Sequence, residues 1–255
     1  MEVTANETAP RPSARLWRLV AGALAAFLVF GALGYWHRAH NDPDAAIDRL
    51  AGDPSLGNAF RVFQREFPTD YAAFKEQAKA NVAADSTPGA VYARMMAFMR
   101  QWVDSKRPLI LRADGEALAA LIVEQNRMLK HLRTTDIQEC ATFGMLGRMA
   151  SPDMKDVRLQ RLAADGMERT LIAIKSGERA GGSPPEAMTE ADHRAFLAVL
   201  DRHVFDASKL ALLTSGGLAS AKPETQCNLT IAMTDAIGDL PQPLRGKVAR
   251  SVIAG

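Results

Sequence analysis

Aromatic side chains are scarce in this chain of 255 residues: Phe, Tyr and Trp together make up 6%, with only three tyrosines and three tryptophans. A sheet rich in Val, Ile and Tyr needs more of them, and so does a stacking platform for nucleic-acid bases. Excess charge is lacking too. Residues 1–40 hold four Arg against two Glu, which accounts for the whole formal charge of +2. Of the 31 basic and 29 acidic residues in the chain, 27 of each then remain for residues 41–255. A phosphate-tracking face would need clustered cations that the sequence does not show, so nucleic acid is set aside as a partner.

Cysteine is down to two, Cys140 and Cys227, and neither belongs to a Cys-x-x-Cys pair. A thioredoxin-like redox site and a zinc knuckle therefore lack their ligands. The chain has no Gly-x-Ser-x-Gly elbow, no Gly-x-x-x-x-Gly-Lys-Ser/Thr phosphate loop and no His-Glu-x-x-His helix. Ser215 sits in Thr-Ser-Gly-Gly, a turn sequence, and Gly181-Gly182 runs into two prolines that prevent a phosphate-binding helix from following directly. Asn228-Leu229-Thr230 matches a glycosylation sequon inside an expected helix. No cofactor or metal is expected.

The residues that could carry chemistry are few. His37 and His40 lie beside Asp42 and Asp44 at the flank of an apolar run, where interfacial polarity explains them. Asp192, His193, Asp201 and His203 form the densest group of candidate acids, bases and ligands, with Asp206 close by. Ten residues of helix leave the two rings about 80° apart, so they do not aim at one ion. A hydrolase would have to be built from this group. Glu116 and Glu139 could be nominated for acid–base work, but a solvated helix face explains almost all carboxylates of a helical domain. Met95, Met96, Met99 and Trp102 offer an adaptable apolar surface for a partner, in competition with a core stripe at the same spacing.

What the chain does contain is one apolar run, Leu19 to Trp36, eighteen residues without a charge. As a helix it is about 27 Å long, enough to cross the hydrocarbon core of a bilayer. Trp17 stands before the run while Tyr35 and Trp36 close it, placing amphipathic rings at both interfaces. Arg11, Arg15 and Arg18 precede it, whereas four aspartates dominate the stretch that follows. The positive-inside rule then leaves residues 1–18 as a cytoplasmic arm, 19–36 as the anchor and 37–255 as an exported, periplasmic domain of an inner-membrane protein. Two competing readings are a signal peptide cut after Gly34 and a buried helix of a soluble protein. In an exported domain the two cysteines can pair, closing a loop of about 86 residues; two separate buried thiols are the alternative.

Beyond the run, a capping side chain precedes proline at Asp42-Pro43, Asp53-Pro54, Thr87-Pro88 and Ser151-Pro152, each a helix start, and Thr135 with Gln138 suggests a fifth. Another helix is expected from about Pro223. Apolar stripes at spacings of three and four follow, among them Leu56, Phe60, Phe63 and Phe67, then Leu118, Leu121, Ile122, Leu129 and Leu132. Leu109-Ile110-Leu111 reads as a buried connector. The Gly/Pro/Ser-rich breaks 176–185 and 215–223 bracket the helix around His193. The fold expected is all-α: one N-terminal transmembrane helix followed by a multi-helix globular domain of about eight short helices. The function expected is that of a membrane-anchored interaction or structural component of the cell envelope, with the bilayer and an envelope protein as partners; the alternative is a membrane-tethered periplasmic hydrolase.

Overall fold

The computed structural model describes residues 47–48, 51–54, 56–84, 88–150, 155–181, 186–204 and 206–254. The anchor at 19–36, the histidines at 37 and 40 and the starts at Asp42 and Ser151 lie outside the described residues. Among those described, every regular element is helical, and no helix is long and apolar enough to cross a membrane. The described residues include eleven α-helices: α1 Gly57–Glu66, α2 Pro68–Ala84, α3 Pro88–Ser105, α4 Arg107–Ile110, α5 Gly115–Thr135, α6 Ile137–Leu146, α7 Val157–Arg179, α8 Glu190–Val204, α9 Ala207–Ser215, α10 Pro223–Gly238 and α11 Leu244–Ala254. A 3₁₀ turn, Gly217–Ser220, joins α9 to α10.

The expectation of about eight short helices is corrected in both number and length. The connector at Leu109 closes into the one-turn helix α4, with Ile110 fully buried. The stripe at 118–132 belongs to a helix of 21 residues, and residues 157–179, for which no stripe was expected, form one of 23. Ser176, read as the start of a loop, lies inside α7, because the chain leaves the helix only at Ala180.

Aspartate does most of the capping. Asp114, Asp136, Asp156 and Asp206 each turn an ionised oxygen onto the free amides of a first helical turn, at α5, α6, α7 and α9. Asp136 displaces Thr135 from the expected cap: its Oδ1 accepts from Gln138 and Glu139, while Thr135 ends α5 and donates its hydroxyl back to His131. A carboxylate also answers the positive end of the helix, which a hydroxyl does not. Pro88 and Pro223 open α3 and α10 as read, and Asp53 accepts from the Leu56 amide just ahead of α1.

The long helices α5 and α7 pack against each other; α1 and α4 cover α7, α10 lies on α5, α6 and α8, and α11 crosses α5. At one end α1, α2 and α3 enclose an aromatic cluster built from Phe60, Phe63, Phe67, Tyr71, Phe74 and Trp102. Cys140 on α6 and Cys227 on α10 form a disulfide with Cα atoms 5.3 Å apart, and both residues are wholly buried. The two helices that carry them are in contact.

The α4–α7 contact depends on the absence of a side chain. A Cβ added at Gly177 would stand 1.8 Å from the Leu109 carbonyl oxygen, a backbone atom that cannot swing aside. Gly177→Ala is expected to push α4 off α7 and lower stability by about 1 to 3 kcal/mol or somewhat more. The midpoint of urea unfolding measures it, and an unchanged midpoint would mean the two helices are further apart.

Candidate functional site

The four residues Asp192, His193, Asp201 and His203 are not brought together. All lie on α8, and eleven residues of helix put the first and last about 17 Å apart along the axis. Asp192 accepts from the Thr189 amide and in return its own amide donates to the Thr189 hydroxyl, a reciprocal cap for α8. That exchange, with Lys247 Nζ 3.3 Å away, holds its carboxyl below the usual range. His203 Nε2 pairs with Asp239 Oδ2 at 3.0 Å, while His193 and Asp201 are exposed. Among the described residues no three His, Cys, Asp or Glu side chains converge as a metal requires.

Met95, Met99 and Trp102, read as a partner surface in competition with a core stripe, lie in the core. Their exposures are 3%, 0% and 8%, and the Trp102 ring packs on Phe63 and Phe67. Helical spacing cannot separate a buried stripe from a binding stripe, and α3 pairs along α2 with this face inward. The Met96 side chain lies outside the described ones.

A pair that sequence spacing did not reveal joins the last turn of α5 to the start of α7. His131 Nε2 lies 2.5 Å from Asp156 Oδ2, and the two side chains are 9% and 19% exposed. Burial opposes ionisation of Asp156, but the Leu159 amide and His131 together outweigh it and leave the carboxyl below its ordinary value. This is the base-and-orienter half of a catalytic triad in form. The pair clasps the end of α5 to the start of α7. The Asp156 capping pattern was the only local signal; the partner lies 25 residues upstream.

An open groove of about 500 Å³ lies between α1 and α7. Val62 and Ile172 supply apolar surface, with Ile172 36% exposed. Arg65, Glu66, Lys175 and Arg179 add charges of both signs. Arg65 Nε bonds Glu66 at 2.7 Å and Arg179 approaches the same carboxylate to 3.9 Å. The Arg65 bond, followed by the charges of Arg65, Lys175 and Arg179, holds Glu66 below the usual carboxylate range. Lys175 pairs with Glu178 and lies over the Phe67 ring.

One end of the groove is closed by Asp114 and Ser176. The Ser176 hydroxyl donates to Asp114 Oδ2 at 2.5 Å and accepts from the Asp114 amide at 3.0 Å. That serine bond is the largest influence lowering the Asp114 pKa, with the Ala117 amide next. Asp114 is thus more acidic folded than unfolded, so its contribution is present above the unfolded value near 3.9 and fades as pH falls through the lower folded value. Ser176→Ala should therefore cost stability at pH 6 to 7 and cost progressively less under acid. Urea midpoints of both proteins across that range test it; a gap that widens toward low pH would contradict the assignment.

A second open hollow, of about 440 Å³, lies beside Asp48, between α1 and α2. Asp48 Oδ1 accepts from the Tyr71 hydroxyl at 3.0 Å and Oδ2 from Lys75 at 2.8 Å. Both hollows hold paired ions. Comparison with protein-family models, with curated proteins and with solved structures finds no match to this chain.

Proposed function

We propose that this chain is a membrane-anchored interaction component of the cell envelope, spanning the inner membrane through residues 19–36 and working through its exported helical domain. The observation that carries the reading is the buried Cys140–Cys227 disulfide, because such bonds persist where thiols are not kept reduced, beyond the membrane that the apolar run would cross. The α1–α7 groove gives that domain a place to hold an envelope protein: apolar surface at Val62 and Ile172 is bordered by paired charges, the make-up of a polar, reversible interface. The hydrolase alternative gains nothing from α8, where Asp192 and His203 pair with separate partners, Lys247 and Asp239.

Intact membranes provide the test. A photo-crosslinking residue placed at Ile172 should give a defined adduct with an envelope protein, and Arg65→Glu with Arg179→Glu should remove it. The chain should resist extraction by alkaline carbonate and show no alkylatable thiol until it is denatured and reduced. Release by carbonate would end the anchor reading. Two native thiols open to alkylation would end the exported one.

A further inference from the structure

We propose that the α1–α2 edge beside Asp48 rests on the phospholipid headgroups of the membrane that anchors this same chain. The inference depends on the anchor reading above. Ten residues, 37–46, separate Trp36 from Ile47, which is 1% exposed and belongs to the core. Whatever its conformation, that tether reaches no further than about 40 Å at ~3.6 Å per residue. A domain of some 200 residues has a radius of gyration near 17 Å and is therefore about 43 Å across. At full stretch the tether is about as long as the body is wide, so the domain stays within about one diameter of the bilayer.

The surface next to the tether's end is fixed by Asp48, whose carboxylate is bonded to Tyr71 and Lys75 on α2. Tyr71, Lys75 and Lys79 follow at i, i+4 and i+8 along one side of that helix, and Gln64 of α1 and Ala72 of α2 also line the hollow. Two cations, Lys75 and Lys79, alternate there with two anions, Asp48 and Glu76. A zwitterionic headgroup complements such a surface, its phosphate toward the lysines and its ammonium toward the carboxylates. Confinement near the bilayer raises the local concentration of headgroups enough for weak contacts to be occupied. By contrast α9, which packs chiefly on α8 and the 3₁₀ turn, is separated from α2 by a succession of packed helices.

The experiment uses the full chain in vesicles of phosphatidylethanolamine and phosphatidylcholine doped with a lipid carrying a paramagnetic headgroup. A genetically encoded fluorescent residue replaces Ala72 in one protein and Ser215, at the end of α9, in another. Quenching at 72 should exceed that at 215 by about threefold or more, and Lys75→Glu with Lys79→Glu should bring it down toward the level at 215. Lys79→Glu alone, which leaves the Asp48–Lys75 bond in place, should act in the same direction. Equal quenching at the two positions in a chain that resists carbonate extraction overturns the docking and leaves the anchor standing. A chain extracted by carbonate overturns the anchor itself.

Discussion

Replacing Cys140 and Cys227 together by alanine should lower the unfolding free energy by about 4 to 5 kcal/mol. The disulfide spans 87 positions of sequence, and the loss of loop-closure entropy in the unfolded chain grows with the logarithm of that length. The effect works mainly through the unfolded state, so the midpoint in urea should fall while the slope of free energy against urea rises, because a chain without the cross-link exposes more surface. Alanine is the better replacement, since serine would leave two hydroxyls among residues with no exposure. The same burial governs reduction. A thiolate must reach a sulfur to exchange with it, and neither cysteine has exposed surface, so dithiothreitol should leave the native protein oxidised and act only once denaturant opens α6 from α10. Rapid reduction under native conditions would show that the bond lies nearer the surface.

The legible parts of this fold were those set by near neighbours in sequence. The helices at Pro88 and Pro223 announced themselves because proline has a fixed φ and needs no amide partner in a first turn. The stripe Leu56, Phe60, Phe63 and Phe67 is buried throughout, because one side of a helix that packs on two others must be apolar. Cys140 and Cys227 were readable as a pair since there was no third cysteine to choose. Thr135 was misread because Asp136 next to it is the stronger cap, a competition settled by charge that a Ser/Thr pattern overlooks. The sites were less legible. Arg65 and Arg179 reach one carboxylate from positions 114 residues apart, and His131 meets Asp156 only after α5 and α6 have run their course. Conversely, the closeness of Asp192, His193, Asp201 and His203 in sequence was misleading, because one helix rotates and separates them.

Phe63→Ala should be the costliest single truncation in the core, at about 3 to 5 kcal/mol. The Phe63 ring is unexposed and meets four others, with centroids 5.0 Å from Trp102, 5.6 Å from Tyr71, 6.0 Å from Phe74 and 6.3 Å from Phe67. Those partners come from the C-cap of α1, the start of α2, its middle and the end of α3, so the hole left by the ring cannot be closed by moving a single helix. Phe63→Leu keeps most of the volume and should lose distinctly less, on the order of 1 to 2 kcal/mol, mainly edge-to-face contact. Urea midpoints order the two; equal losses would mean that filling the space contributes nothing. The groove should respond as well, because Val62, Arg65 and Glu66 share α1 with Phe63, and a loosened α1 shifts its wall against α7. Crosslinking from Ile172 should therefore weaken in Phe63→Ala even where the protein is still folded. The aromatic cluster and the disulfide sit on different helices, α1 to α3 against α6 and α10, so their losses should add. Phe63→Ala combined with the cysteine-free background then removes about 8 kcal/mol, within the 5 to 15 kcal/mol that typical domains possess. That variant should be largely unfolded at 25 °C by circular dichroism, whereas a cooperative transition at the midpoint of either parent would show that the two ends of the domain are coupled.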